Sequence, residues 1–107
     1  MLRYTTCVLL SLFTFTVSAE TVLVTGSNRG MGLEFVKQYA DLGWDVIATS
    51  RTPSDDVELQ ELAQENSRIR IESLDVTNVD QLSSLKKEYR NHPIDLVINN
   101  AGLSGDR

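Results

Sequence analysis

The chain has 107 residues, 41% of them hydrophobic and 23% charged, with a net charge of −5. That length fits one domain or part of one, and the composition is that of a globular protein rather than a disordered or fibrous one. An acidic balance without a basic run argues against a nucleic-acid partner. The single cysteine, Cys7, leaves no disulfide framework and no thiolate metal site.

The first stretch, Met1 to Glu20, reads MLRYTTCVLLSLFTFTVSAE. Arg3 gives a positive start. Cys7 to Val17 is apolar apart from Ser11, Thr14 and Thr16, and Val17-Ser18-Ala19 offers small residues for cleavage. This is the layout of a secretory signal peptide over residues 1–19. Its apolar run is too short for a transmembrane span, which takes about 20 apolar residues. The expectation is an exported protein, secreted or periplasmic. The alternative is a mis-assigned start and a cytoplasmic protein that begins near Thr21.

Residues 20–107 form the folded part. Val22 to Val24 is a short apolar run, read as a strand, that ends in Gly26, Gly30 and Gly32. A helical pattern follows at once, with Leu33, Val36 and Ala40 on one stripe. Gly43 stands where a left-handed C-cap is expected. A strand that runs through a glycine turn into a helix is a phosphate-binding arrangement. Backbone N–H groups at the helix start point at the anion, and the glycines let it approach the backbone. The spacing is G-x-x-x-G-x-G, not the more familiar G-x-G-x-x-G.

Val46 to Ala48 is a second strand, closed by Arg51. The sequence Thr52-Pro53-Ser54-Asp55 predicts a helix start with Thr52 as cap. A polar helix runs on from Val57 to Asn66, with Leu59 and Leu62 inward. Ile69, Ile71 and Ser73 alternate with Arg70 and Glu72 as a third strand. Thr77-Asn78-Val79-Asp80 repeats the cap pattern, and Val79, Leu82, Leu85 and Tyr89 form a helical stripe. His92-Pro93 breaks that helix. Ile94 to Ile98 is a fourth strand, followed by Asn99-Asn100-Ala101-Gly102. The order β-α-β-α-β-α-β predicts an α/β fold: a Rossmann-type, doubly wound parallel sheet of about four strands, incomplete beyond the fourth.

Dinucleotide folds commonly hold the adenosine ribose with an acid at the end of the second strand. Here Ser50-Arg51 stands there instead. A guanidinium suits a 2′-phosphate, and Arg29 inside the glycine turn is a second cation for it. Two cations favour NADP (NADPH) over NAD.

TGSNRGMG, then Asp75-Val76-Thr77, then Asn99-Asn100-Ala101-Gly102 together resemble the short-chain dehydrogenase/reductase family. The run from Val22 to Arg51 is similar to its C-factor-like and carbonyl-reductase-like branch. The resemblance covers Thr21 to Arg107. It implies that the turn of Gly26, Ser27, Asn28, Arg29, Gly30, Met31 and Gly32 holds the pyrophosphate. It implies that Asp75 hydrogen-bonds the adenine with Val76 beside the ring, and that Asn100, Ala101 and Gly102 line the cofactor path. Arg29 and Arg51 match the basic residues of NADP-preferring members. Met31 stands where Ile or Leu is usual.

The reaction so implied is hydride transfer between a nicotinamide and a small carbonyl or alcohol substrate. A Tyr acts as acid and base, a Lys four residues on lowers its pKa, and a Ser holds the carbonyl oxygen. In the family these follow the Asn-Asn-Ala-Gly segment. Residues four beyond Tyr4, Tyr39 and Tyr89 are Val8, Gly43 and Pro93, so no catalytic residue is assigned. The expectation is the NADP(H)-binding N-terminal half of an oxidoreductase, inactive alone, with homo-oligomers expected only of a full-length protein. The alternatives are a non-catalytic nucleotide-binding or signalling module and a truncated gene product.

Overall fold

A computed structural model of the protein describes residues 19–100. The core of the architecture is a parallel sheet of β1 (Thr21–Val24), β2 (Asp45–Ser50), β3 (Ile69–Ser73) and β4 (Leu96–Ile98). The helices are α1 (Gly30–Asp41), α2 (Val57–Glu65) and α3 (Val79–Glu88), and a 3-10 turn covers Pro53–Asp55. The strand order is β3-β2-β1-β4, with every pairing parallel. The signal peptide expected over residues 1–19 lies outside the described residues except for Ala19, and so do the expected cofactor-path residues Ala101 and Gly102.

Alternation along the strands sorts the core into two layers. Val22 and Val24 of β1, with Val46 and Ala48 of β2, pack with Leu33, Val36 and Ala40 of α1 and Leu59 of α2. The intervening Leu23 and Ile47 face the opposite way and meet Tyr89, with Leu85 and Ile94 beside them. A strand shows successive side chains to opposite faces. α1 and α2 therefore cover one face of the sheet and α3 the other. This is the doubly wound arrangement, reached with β-branched residues that suit a sheet buried on both sides.

Helix ends explain the connections. Leu42 caps α1 and Gly43 follows at φ 92°. The Gly43 N–H donates to the Ala40 carbonyl and the Trp44 N–H to that of Tyr39, both at 3.0 Å. These are the two bonds of a Schellman motif, and the Trp44 and Tyr39 rings close it edge to face at 5.0 Å. α3 is capped by Asn78, whose side chain accepts from the Gln81 N–H at 3.1 Å. Asp80 in its first turn and Lys86 and Lys87 in its last complement the helix dipole.

Four local expectations are corrected. Thr52 stands at the N-cap of a 3-10 turn with Pro53 at its first position, not at the start of the α-helix. It makes no side-chain cap bond, and α2 begins only at Val57. The cap of α3 is Asn78 rather than Thr77, because the Thr77 hydroxyl is engaged by Asp75. Val79 and Leu82 are exposed rather than inward. β4 is confined to Leu96–Ile98, because at its entry the Asp95 carboxylate accepts from the Thr21 N–H at 2.8 Å.

Candidate functional site

The chain leaves β1 in one lateral direction, to β2 and β3, and in the other to β4. The crevice at the carboxyl ends of β1 and β4 is thus the topological switch point, where open α/β sheets bind ligands. The glycine turn lies there.

Several bonds hold the turn. The Thr25 N–H donates to the Ile98 carbonyl at 3.0 Å, and the Thr25 hydroxyl to Asn99 Oδ1 at 3.0 Å. The Ser27 N–H donates to the Thr49 carbonyl at 3.0 Å. The Ser27 hydroxyl, fully buried, donates to the Val24 carbonyl at 2.7 Å. The Asn100 amide donates to the Gly26 carbonyl at 3.2 Å. Gly26 and Gly30 adopt φ of 64° and 58°, the left-handed region that glycine enters without steric cost. Gly32 is needed for a different reason. A Cβ there would lie 1.9 Å from the Gly26 oxygen and 2.8 Å from Asn100 Nδ2. Gly26, Gly32 and Asn100 are therefore brought together.

Above this cradle α1 presents its N-terminus. Hydrogen bonding into the helix begins with the Leu33 N–H donating to the Arg29 carbonyl at 3.3 Å. The N–H groups of Gly30, Met31 and Gly32 thus have no intrahelical acceptor. Arg29 makes no side-chain cap bond, and the first turn carries no acid. The positive end of the helix dipole is left for an external anion. Asn28 is half-buried, while Arg29 and Met31 are exposed. The residues present fit a dinucleotide pyrophosphate.

Arg51 follows β2 directly, is exposed, and forms no salt bridge among the described residues. It acts electrostatically on Asp75. The Thr77 hydroxyl donates to Asp75 Oδ1 at 2.6 Å and the Thr77 N–H at 2.9 Å. Those two bonds, with the Arg51 charge beside them, hold the Asp75 carboxyl below its ordinary 3.8. Val76 lines an apolar groove of about 340 Å³ with Leu74, Leu82, Leu85 and Val97, whose polar members include Thr25 and Asn99.

Sequence reasoning missed Thr25, Thr49, Ser50 and Asp56, which fix the turn and the end of β2. The signal for Thr49 and Ser50 was present: two hydroxyl residues follow the apolar run of Val46, Ile47 and Ala48 and are buried, at 1% and 4% exposure. No group of metal-ligating side chains occurs among the described residues, and none of their helices is long and apolar enough to cross a membrane.

A parallel sheet with this strand order, and a glycine turn at its switch point, defines a Rossmann-type nucleotide-binding fold. Comparison with known proteins narrows it. The short chain dehydrogenase family model matches residues 20–107, and the chain belongs to that family of oxidoreductases. It is 36% identical over 90 residues to (−)-isopiperitenone reductase of Mentha piperita, covering 78% of this chain and 29% of that one. It is 35% identical over 97 residues to (+)-neomenthol dehydrogenase of Capsicum annuum, covering 84% and 31%. The structure superposes on a carbonyl reductase from Pseudomonas aeruginosa PAO1 in complex with NADP, with a TM-score of 0.73 at 28% identity, over 77% of this chain and 36% of that one. The chain thus spans about a third of the length of the relatives it matches.

Proposed function

We propose that this chain binds NADP(H) at the glycine turn, and that it serves as the cofactor-binding part of an NADP-dependent oxidoreductase acting on a small carbonyl or alcohol. The observation that carries the reading is the uncompensated N-terminus of α1, set on the Gly26–Gly32–Asn100 contact at the switch point. The N–H groups of Gly30, Met31 and Gly32 hold the pyrophosphate. Arg29 and Arg51 receive the 2′-phosphate, and Asp75 accepts from the adenine amino group. The carbonyl reductase solved with NADP supports the choice of dinucleotide. When bound, the cofactor supplies or accepts a hydride.

Among the described residues, the tyrosines do not serve as the acid and base. Tyr39 packs against Trp44. Tyr89 is buried, and its hydroxyl donates to Glu72 at 2.6 Å. Burial, then that bond, pushes the Tyr89 pKa up, the opposite of what proton abstraction needs. We therefore propose that the chain binds the dinucleotide without turning it over. The test is a fluorescence titration of the chain with NADPH, followed by an assay for oxidation of bound NADPH by simple carbonyl compounds. Saturable binding without oxidation is expected. A flat titration of the folded protein overturns the reading.

A further inference from the structure

We propose that Ser50 and Asp56 are positioning residues for Arg51, and through it set the preference for a dinucleotide that carries a 2′-phosphate. This rests on the cofactor reading above. Ser50 is the last residue of β2 and is 4% exposed. Three bonds converge on it. Its carbonyl accepts from the Leu74 N–H at 2.8 Å, its hydroxyl accepts from the Thr52 N–H at 3.3 Å, and that hydroxyl donates to the Asp56 carboxylate. Arg51 lies between the two backbone positions so fixed. Its own side chain is exposed, with no salt bridge among the described residues.

The position of Asp56 makes the bond to Ser50 informative. Asp56 stands at the N-cap of α2, where an aspartate ordinarily accepts from its own helix. Here it makes no side-chain cap bond. Its carboxylate is turned back to the strand end instead. The 3-10 turn completes the closure: the Asp55 N–H donates to the Thr52 carbonyl at 2.9 Å and the Asp56 N–H to that of Pro53 at 3.0 Å. Residues 50–56 form a closed loop, and Arg51 projects from its base. A guanidinium on a fixed backbone loses less freedom when it grips a phosphate, so the loop adds selectivity without touching the ligand. A merely neighbouring carboxylate would do the reverse, because its charge would repel the 2′-phosphate.

The test is the affinity of the full 107-residue chain for NADPH and for NADH, measured by fluorescence with thermal melts as the folding control. Ser50→Ala and Asp56→Ala are each expected to weaken NADPH binding by about threefold to tenfold, the coupling typical of one hydrogen-bond network, and to leave NADH binding unchanged. Ser50→Thr keeps the hydroxyl and the selectivity. In an Arg51→Ala background, Ser50→Ala has no further effect on NADPH. Three results overturn the proposal: equal losses for both dinucleotides, tighter NADPH binding by Asp56→Ala, or an undiminished Ser50→Ala effect without Arg51. Should Ser50→Ala fail to fold, Asp56→Asn decides, because it removes the charge and keeps the shape. A folded wild-type chain that binds neither dinucleotide overturns the cofactor reading itself, a result distinct from binding without selectivity.

Discussion

The backbone N–H of Ser27 donates to the carbonyl of Thr49 at 3.0 Å, which ties the glycine turn to the end of β2, two residues before Arg51. The phosphate cradle and the basic strand end are thus built on one fixed edge of the sheet. Arg51→Ala is expected to weaken NADPH binding about tenfold or more, the effect of losing hydrogen bonds to a charged group. NADH affinity stays within about twofold, because NADH offers that side chain no phosphate. Calorimetric titration of both dinucleotides checks this, and parallel losses would count against the assigned role.

Gly32→Ala tests the contact between helix and turn. The added Cβ meets the Gly26 oxygen at 1.9 Å, and a backbone atom cannot swing aside. A destabilisation of about 1–3 kcal/mol is expected, as for other overpacked sites, together with loss of NADPH binding. Gly30→Ala provides the contrast. Its Cβ meets nothing within 4 Å, but φ is 58°, so the cost is about 1–2 kcal/mol of left-handed strain. Urea denaturation separates the two.

Asp75 carries a pH dependence whose sign is fixed. Its pKa is lowered in the folded state, first by the Thr77 hydroxyl and then by the Thr77 N–H. The stability contributed by the ionised carboxylate is therefore fully present above the unfolded value of 3.8. It is lost as pH falls through the lower folded value. Thr77→Val removes the largest cause and shifts the Asp75 titration upward, toward 3.8, in a carboxyl-detected NMR titration. An unchanged midpoint would contradict the assignment.

The outer edge of β4 has no strand partner among the described residues, and Val97 on it is 58% exposed. Unpaired apolar edges recruit other strands. Val97→Lys is expected to reduce self-association of the chain in light scattering while leaving its melting temperature unchanged. Equal scattering by both proteins would show that this edge is not the sticky one.

Much of this was legible in the sequence, for physical reasons that differ by element. The apolar runs announced β1 and β2 because those central strands are buried on both faces, and period-two alternation announced the edge strand β3. Gly43 announced the end of α1 because a Schellman turn requires its left-handed φ. The stripe on α3 misled. The buried cluster on that face holds only Leu23, Ile47 and Tyr89, which Leu85 reaches and Val79 does not, so the start of the helix is left exposed. The Thr52 cap opens a 3-10 turn rather than α2, whose own N-cap residue, Asp56, bonds to Ser50. A pair six residues apart, joined through a loop, leaves no periodic trace. Within the site, the glycine turn could be read from its place between a strand and a helix, whereas Asp75 and Asn100 were pointed to only by the family resemblance. Two hydroxyls at the end of β2 mark a polar place there, but the partners of Thr25, Thr49 and Ser50, which are Asn99, the Val24 carbonyl and Asp56, lie on other segments and leave no local pattern.

The most direct test is a map of backbone amide NMR shifts as NADPH is added to the chain. The account predicts saturable shifts concentrated at Gly30, Met31 and Gly32, with accompanying changes at Arg51 and Asp75. Shifts confined to the α3 face, or none in a folded protein, would contradict it.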